Sequence, residues 1–502
     1  MNAPAPIELS AADSLPADEL GASVKRAVIW RSGSQIVAQM IAWVATLTVI
    51  RILDPADYGL FAMTQVVIVF LNFLNGYGFA GSLIREPELT EQKIRQAFGL
   101  LLLVNGALAL LQIALSPLAA AYYGQPRVAD LLRVQALIFL STPFISIPEV
   151  LLMRQMDFRR QALVNLAATL VSAGVALCGA LSGWGVWTLI WAPIALFWTR
   201  AIGLQAVTGF RCIPSFRFSG AGSMFHFGMA LLASTFGWTV INQADTLIAA
   251  RKLSPHDLGL YTEALFLTTL VASKFVPPLN EVAYPAYARM QEDPAQLAAS
   301  FLKAVRMIML VTCPIYLGLS VVAPDFVTVV LGAKWLAMAP LMTILAFAMP
   351  AQTLYIIFAP AVNALGHVRM TMRASLLGAL IMPPAFLVGL HWGVIGLAYA
   401  WLLAFPLLPL FTFVQARREL GIDARRLAAA VAPGLLASLG MAGAVSAIEH
   451  LLHAFEPWQR LGIEAAVGAF AYIALLLVFA RPALFELLAL AGRRRPAVAA
   501  AA

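Results

Sequence analysis

Apolar runs of about 20 residues recur along almost the whole chain, from near Arg26 to near Ala480, separated by short polar, glycine or proline clusters. A run of this length suits a helix that crosses the hydrocarbon core of a bilayer. With 61% hydrophobic and 12% charged residues, the chain is also far more apolar than a soluble protein. We therefore predict an all-α integral membrane protein with about 14 transmembrane helices.

The predicted spans form three consecutive groups. The first group comprises six spans, near 26–50, 58–84, 97–122, 130–153, 161–182 and 184–208. The second group comprises six more, near 222–250, 258–285, 301–323, 336–363, 369–390 and 392–415. A final pair is predicted near 427–448 and 462–480.

One eleven-residue stretch occurs twice, as Arg51–Phe61 (RILDPADYGLF) and as Arg251–Tyr261 (RKLSPHDLGLY), at an offset of 200 residues (251 − 51). The motif Gly183–Val186 is echoed by Trp392–Val394 at an offset of 208 (392 − 184). Six predicted spans separate the two copies, and an even number of spans returns the chain to the same side. We therefore predict two parallel-repeat six-helix lobes around a central cavity, plus a C-terminal helix pair.

The repeated stretch has a structural explanation, because proline fits the first position of a helix and aspartate can cap its first amides. It is therefore predicted to be a tight turn between two spans. The predicted divisions of the chain are a disordered cytoplasmic leader (1–24), an N-terminal lobe (25–208), a cytoplasmic linker (209–221), a C-terminal lobe (222–415), a second cytoplasmic linker (416–426), the additional helix pair (427–480) and a cytoplasmic tail (481–502).

Charge distribution predicts the orientation. With the N-terminus in the cytoplasm, the inner segments hold roughly 24 Lys and Arg residues and the outer segments roughly 7, as the positive-inside rule requires. Both termini are then cytoplasmic. The formal net charge of +8 comes from the Lys and Arg residues of the inner segments, where the positive-inside rule accounts for them. We therefore predict no nucleic-acid partner.

Charged and polar groups inside spans are the best candidates for function, because a charge in the bilayer is costly unless it faces a cavity or a partner. Cations in a water-filled cavity would suit an anionic ligand such as a diphosphate head group. The predicted substrate-binding residues are Arg31, Gln35, Gln39, Asn72, Arg200, Asn242 and Lys274. Asp245 and Glu281 are the intramembrane carboxylates predicted for ion coupling.

Each of these charges also has a structural alternative. Arg31 and Arg200 could snorkel towards the interface, and Lys274 could pair with Glu281 or Asp245 inside the bundle. Asn72 shares a helical face with Gln65 and Asn75, and Asn242 shares one with Ser234, Trp238 and Asp245. Glu149 is better explained by a helix-end carboxylate facing Arg154 than by a proton relay.

Several kinds of chemistry are disfavoured. The sequence contains no GxxxxGK[ST], GxSxG or HExxH pattern, and the three cysteines lack CxxC spacing. Loops between predicted spans are too short for a soluble catalytic domain. We therefore predict no enzymatic activity, no catalytic residue, no cofactor and no metal site.

The repeated RxLxPxDxGL(F/Y) loop, Arg154–Arg160, Asn242–Asp245, Leu331–Trp335 and Asn363–Arg369 together resemble bacterial polysaccharide flippases. More narrowly, the chain is similar to lipopolysaccharide and exopolysaccharide exporters of the multidrug, oligosaccharidyl-lipid and polysaccharide transporter superfamily. The resemblance implies transport of undecaprenyl-diphosphate-linked oligosaccharide repeat units from the cytoplasmic to the periplasmic leaflet of the inner membrane, by alternating access. It makes membrane lipids, a polysaccharide polymerase and export machinery candidate partners.

Competing functions remain open at this point. A drug or metabolite antiporter of the same superfamily would share the fold, although a cation exporter would favour acidic rather than basic cavity faces. A flippase for a lipid-linked peptidoglycan precursor is a nearer alternative. A membrane polymerase or glycosyltransferase and a nonenzymatic scaffold are further alternatives from other functional classes.

Overall fold

The computed structural model describes the backbone of residues 17–72, 74–75, 90–155, 157–210, 212–216, 222–452 and 454–492. It describes the side chains of the same residues except 17–32, 222–235 and 487–492. Within these ranges every regular element is a helix, which confirms the all-α prediction.

Up to residue 249, the described residues form eight helices. They are α1 (Ala17–Ile52), α2 (Pro55–Asn72), α3 (Glu91–Tyr123), α4 (Arg127–Gln135), α5 (Leu137–Arg154), α6 (Phe158–Leu181), α7 (Val186–Thr208) and α8 (Gly222–Ala249). Because α1 begins at Ala17, residues 17–24 of the predicted disordered leader are in fact helical; alanine, leucine and glutamate in this stretch are good helix formers. Residues 1–16 lie outside the described part of the chain.

In the described residues after 249, nine further α-helices have ten or more residues. They are α9 (Pro255–Arg289), α10 (Pro294–Val321), α11 (Ala339–Ala364), α12 (Val368–Gly389), α13 (Gly393–Ala404), α14 (Leu407–Ala416), α15 (Ala424–Glu449), α16 (Pro457–Phe479) and α17 (Arg481–Gly492). Between α10 and α11 lie a short helix (Ala323–Phe326), a π turn (Val327–Leu331) and a 3-10 helix (Ala333–Met338). The predicted span 392–415 is divided into α13 and α14 just before Leu407, where Pro406 lacks the amide hydrogen needed to continue the first helix.

Ten stretches of the described residues are long and apolar enough to cross a membrane, so the chain is a multi-pass membrane protein. One of them, Val368–Ala416, is 49 residues long and holds two predicted spans. The predicted spans without such a stretch of their own are 58–84, 222–250 and 258–285. The first two include residues or side chains outside the described part, so the number 14 stays a prediction.

Local capping explains where several helices begin. Asp157, Asp293 and Asp423 each precede a helix and accept a hydrogen bond from a backbone amide two or three residues later, at 3.0 to 3.1 Å. These amides have no partner within the helix, so each cap stabilises its helix by about 1 kcal/mol.

The chain divides into two compact units. The first runs through Thr239 and takes in Ala250–His256, and the second comprises Val240–Ala249 and the residues from Asp257 onward. This division assigns α8 to both units. The lobe boundaries at 208, 222 and 415 stay predictions.

Aromatic packing holds part of the first unit together. Phe98 of α3 lies edge-on to Phe144 of α5 at 5.6 Å between ring centroids, and to Phe210 at 5.4 Å. Edge-to-face rings add about 1 kcal/mol each to the apolar area that they bury. The contact therefore ties the chain just after α7 to α3 and α5.

The two copies of the repeat have the same local structure. Pro55 begins α2 and Pro255 begins α9, which confirms that the repeated stretch is a turn that leads into a helix. In the second shared motif, Gly185 and Gly393 have φ angles of 55° and 67°. Residues with a β-carbon disfavour these angles, so glycine is required at both turns.

The core of the second unit is built around α10, α11 and α15. Phe301 is fully buried and lies 5.1 Å from Phe358 and 6.5 Å from Tyr287 between ring centroids. A β-carbon at Gly434 of α15 would lie 2.8 Å from the carbonyl oxygen of Met309, so α15 packs directly on the backbone of α10. The C-terminal helices are thereby fastened to the transmembrane core.

Candidate functional site

Asp245 on α8 is completely buried and lies in a cluster of neutral hydrogen-bond donors. Tyr261 Oη donates to Asp245 Oδ2 at 2.7 Å. Trp401 Nε1 lies 2.9 Å from Tyr261 Oη and 3.3 Å from Asp245 Oδ2, so it donates to both oxygens. The second carboxylate oxygen accepts from the amide of Thr246 at 2.6 Å and from its hydroxyl at 3.2 Å.

Chain connectivity positions two of these groups and tertiary packing positions the third. Asp245 lies one turn before the end of α8 and Tyr261 lies in the second turn of α9, so the short α8–α9 connection brings them together. Trp401 comes from α13, 156 residues away from Asp245. It stacks on Phe405 at 5.2 Å and contacts Phe386 at 5.7 Å, which fixes the indole ring.

The acid of this cluster has no counter-ion among the described residues. No described residue forms an ion pair with Asp245, although burial of an unpaired carboxylate costs several kcal/mol. The neutral donors offset part of this cost, and a bound proton or small cation would remove the rest. Chemically, a carboxylate buried among neutral donors is a group that can take up a proton or a cation.

The first repeat lacks the same groups. At the offset of 200, the counterparts of Asp245 and Tyr261 are Ala45 and Phe61. If the helix hairpin needed an acid and a tyrosine at these positions in order to fold, both copies of the repeat would contain them. The acid and its tyrosine are therefore a specific feature of the second repeat.

A second polar cluster lies in the first unit. Arg200 of α7, predicted to bind substrate, has Nη2 at 3.4 Å from Glu149 Oε1 of α5. Gln161 of α6 donates to the same oxygen at 2.6 Å. The side chains of Arg200 and Glu149 are 23% and 20% exposed, so this is a half-buried ion pair. Arg200 Nε is buried and has no hydrogen-bond partner among the described residues, so one donor of the guanidinium stays available.

Lys274 and Glu281 are both exposed side chains on α9, which runs unbroken through Pro277 and Pro278. Within the described part of the chain, neither forms an ion pair with the other or with any other group. The alternative in which Lys274 pairs with Asp245 is wrong, because Tyr261 and Trp401 occupy that position.

The other residues that we predicted to bind substrate differ in their exposure, and one of them has a side chain outside the described residues. The backbone of Arg31 is helical, but its side chain lies outside the described residues. Gln35 is exposed and Gln39 is half-buried on α1, and Asn242 is half-buried one turn before Asp245. Asn72 is exposed at the end of α2 and its Oδ1 lies 3.5 Å from Asn75 Nδ2.

Sequence reasoning missed the aromatic partners of Asp245 and the pairing of Glu149. For Tyr261 a signal existed, since the tyrosine replaces the phenylalanine at the matching position of the first repeat. Trp401 and Gln161 carried no such signal, because only helix packing brings them to their partners.

Comparison with known sequences adds independent information. Residues 48–340 match a family described as "Polysaccharide biosynthesis protein". The succinoglycan biosynthesis transport protein ExoT of Rhizobium meliloti is 25% identical, over 95% of this chain and 98% of its own length. The teichuronic acid biosynthesis protein TuaB of Bacillus subtilis is 26% identical over 55% of this chain and 58% of its own, and the lipopolysaccharide biosynthesis protein WzxC of Escherichia coli is 25% identical over 63% and 65%.

Two solved structures share the fold. The Lipid II flippase MurJ, in an inward closed conformation, superposes with a TM-score of 0.73 at 14% identity, covering 91% of this chain and all of MurJ. An inward-facing multidrug resistance transporter of the MATE family superposes with a TM-score of 0.59 at 12% identity, covering 79% of this chain and 98% of its own. At these identities the likeness shows the architecture, that of a MurJ- and MATE-like membrane transporter.

Proposed function

Because the chain belongs to the polysaccharide biosynthesis protein family, we propose that it is a flippase for lipid-linked oligosaccharides. Its cargo is an undecaprenyl-diphosphate-linked repeat unit, which it moves from the cytoplasmic to the periplasmic leaflet of the bacterial inner membrane. The observation that carries this proposal is the similarity to a succinoglycan biosynthesis transport protein along nearly the full length of both chains. The transporter fold and the internal repeat support it.

In this proposal the cargo is held by its charged head group. Lys274 supports this role, because it is an exposed cation within the predicted span 258–285 and has no described ion pair, so its ammonium group can bind a diphosphate. Arg200 has one unused buried donor beside its contact with Glu149. Arg31, Gln35, Gln39, Asn72 and Asn242 are the further proposed binding residues, and both termini are proposed to be cytoplasmic.

Alternating access between the two repeats is the proposed transport mechanism. Asp245 is the proposed coupling group, because its buried carboxylate is surrounded by neutral donors and can take up a proton or cation. Glu281 is the second candidate for coupling. Its side chain is exposed, so its ionised carboxylate costs less free energy without a bound ion than that of the buried Asp245. No catalytic step is needed for this function, and we propose that the protein is not an enzyme.

The test of the proposed cargo is deletion of the gene in the native bacterium. We expect loss of surface or secreted polysaccharide together with accumulation of the lipid-linked repeat unit, and rescue of both by the wild-type gene. Polymer is measured by sugar analysis and the intermediate by mass spectrometry of lipid extracts.

Each other outcome of the deletion identifies a competing cargo. Normal polymer with increased sensitivity to toxic compounds would favour the drug or metabolite antiporter. Accumulation of the peptidoglycan precursor with cell lysis would favour the Lipid II-type function, which the shared fold also accommodates.

Truncation of the proposed head-group cation should impair export without impairing folding. We expect Lys274→Ala to lower polysaccharide export by about tenfold, the effect of losing about 1.4 kcal/mol of binding. The side chain is exposed, so its removal leaves no cavity and membrane levels should not change. The matched control is Arg127→Ala, another exposed cation, at the start of α4. Equal export by the two variants would exclude Lys274 from the binding site.

A further inference from the structure

A compact group of charged side chains lies in the C-terminal helix pair, away from the groups used above. Arg460 and Glu464 are four residues apart on α16, so they share one helical face. They meet Asp325 of the short helix Ala323–Phe326, which follows α10. Arg460 Nη2 lies 2.6 Å from Asp325 Oδ1. Glu449, the last residue of α15, adds a third carboxyl group near Glu464.

Asp325 and Glu464 are buried, Glu449 is exposed, and the polar atoms of Glu464 and Arg460 are incompletely paired. Glu464 is 3% exposed and Asp325 is 8% exposed. Glu464 Oε2 and Arg460 Nε are both buried, and within the described chain neither has a hydrogen-bond partner. An unpartnered carboxylate oxygen in such a place is costly, so the site calls for a ligand that supplies a donor or positive charge.

The group has more negative than positive side chains, so it lacks a positive charge or a proton. The buried carboxyl groups of Asp325 and Glu464 lie beside a single guanidinium, that of Arg460, and Glu449 adds an exposed negative charge in the neighbourhood of Glu464. Arg460 neutralises Asp325 through their short ion pair. The side chain of Glu464 lies in hydrogen-bond contact with that of Asp325, and two ionised carboxylates cannot share such a contact.

A proton fits the site better than a metal ion. In the part of the chain that the structure describes, no group of three or more histidine, cysteine, aspartate or glutamate side chains could hold a metal. Arg460 already places a fixed positive charge against Asp325, where a cation would need to bind. A proton needs only the two facing carboxyl oxygens.

We propose that Glu464 and Asp325 form a proton-binding site that fastens α16 to the segment after α10. With the proton bound, the Glu464 carboxyl donates a hydrogen bond to the Asp325 carboxylate, which stays paired with Arg460. When the proton leaves, Glu464 and Asp325 repel each other, and Glu449 adds to the repulsion. The first turns of α16 then separate from the segment Ala323–Leu331. The form in which α16 contacts the segment Ala323–Leu331 therefore dominates at low pH, and its population falls as pH rises.

Hydrogen–deuterium exchange of the full chain in lipid nanodiscs tests this site. Exchange is measured between about pH 6 and about pH 9 and corrected for the intrinsic effect of pH on amide exchange. In the wild type we expect the amides of 323–331 and 457–466 to exchange about tenfold faster at the higher pH. Glu464→Gln should stay protected throughout, because the glutamine amide donates to Asp325 without a titrating proton.

Substitutions of the two neighbouring carboxyl groups, Glu449 and Asp325, serve as controls for this experiment. Glu449→Gln removes a neighbouring charge but keeps both proton-sharing carboxyls, so it should retain the pH dependence. Asp325→Asn should abolish it, because Glu464 can then ionise and pair with Arg460. Identical pH profiles for the wild type and Glu464→Gln would overturn the proposal. Protection restored at high pH by sodium, but not by choline, would also overturn it in favour of a cation site.

Discussion

Asp245→Asn should abolish or nearly abolish polysaccharide export, lowering it by at least about tenfold, while the protein reaches the membrane at normal levels. Asparagine has nearly the same size, and its Oδ1 can still accept from Tyr261 and Trp401. Its amide nitrogen then faces Thr246, whose hydroxyl can accept from it instead of donating, while the Thr246 amide loses its side-chain acceptor. The cluster should therefore stay packed. What is lost is the negative charge that a coupling proton or cation would neutralise. Export is measured as secreted polymer per unit of membrane protein in a deletion strain that carries the variant.

Two controls separate coupling from general effects of charge. Glu292→Gln makes the same carboxyl-to-amide change at an exposed position in the connection between α9 and α10, and it should export normally. Glu281→Gln tests the second candidate carboxylate and should have the smaller effect, because its exposed charge needs no bound ion. Wild-type export by Asp245→Asn would remove Asp245 from the mechanism. A strong defect in Glu281→Gln alone would transfer the coupling role to Glu281.

Gly396→Ala should destabilise the protein by about 2 kcal/mol or more through forced separation of two helices. The backbones of α12 and α13 cross at Gly389 and Gly396, and a β-carbon at Gly396 would overlap the carbonyl oxygen of Gly389. The obstacle is backbone, which cannot rotate away as a side chain can. We expect a lower melting temperature in detergent and a smaller yield of monodisperse protein.

Gly443→Ala is the matched control for this packing prediction. Gly443 lies within α15, and apart from the adjacent backbone of its own helix no atom is within 4 Å of the position that its β-carbon would take. Because alanine favours helix over glycine by about 1 kcal/mol, the control should melt at the same or a slightly higher temperature. Equal destabilisation of both variants would show that loss of helix flexibility, rather than the crossing of α12 and α13, is responsible.

Much of the fold could be predicted because the relevant patterns are local. Apolar length predicts membrane helices, and the repeated stretches at Pro55 and Pro255 mark turns that the structure confirms. Helix interruptions were harder to predict. The break at Pro406 divides one predicted span, and α9 passes through Pro277 and Pro278 without ending. Proline removes one amide in both cases, and the surrounding packing decides whether the helix continues.

The candidate residues could be selected from sequence, but their partners could not. Burial cost alone identifies Asp245 and Arg200 as unusual. It does not reveal that Arg200 meets Glu149, 51 residues away, or that Glu464 meets Asp325. Side chains on different helices meet only where the helices cross, and crossing positions depend on the packing of whole helix surfaces.

The sequence by itself determined that this chain is a membrane-spanning helical protein with an internal repeat, and that its second repeat carries an acid where the first has alanine. Hydropathy, repeat spacing and residue identity are properties of short stretches, so no tertiary information was needed. Only the tertiary structure decided that Asp245 is enclosed by Tyr261 and Trp401 while Lys274 stands exposed. Whether a charge is solvated by neutral donors, paired or free depends on the neighbours that folding brings from distant parts of the chain.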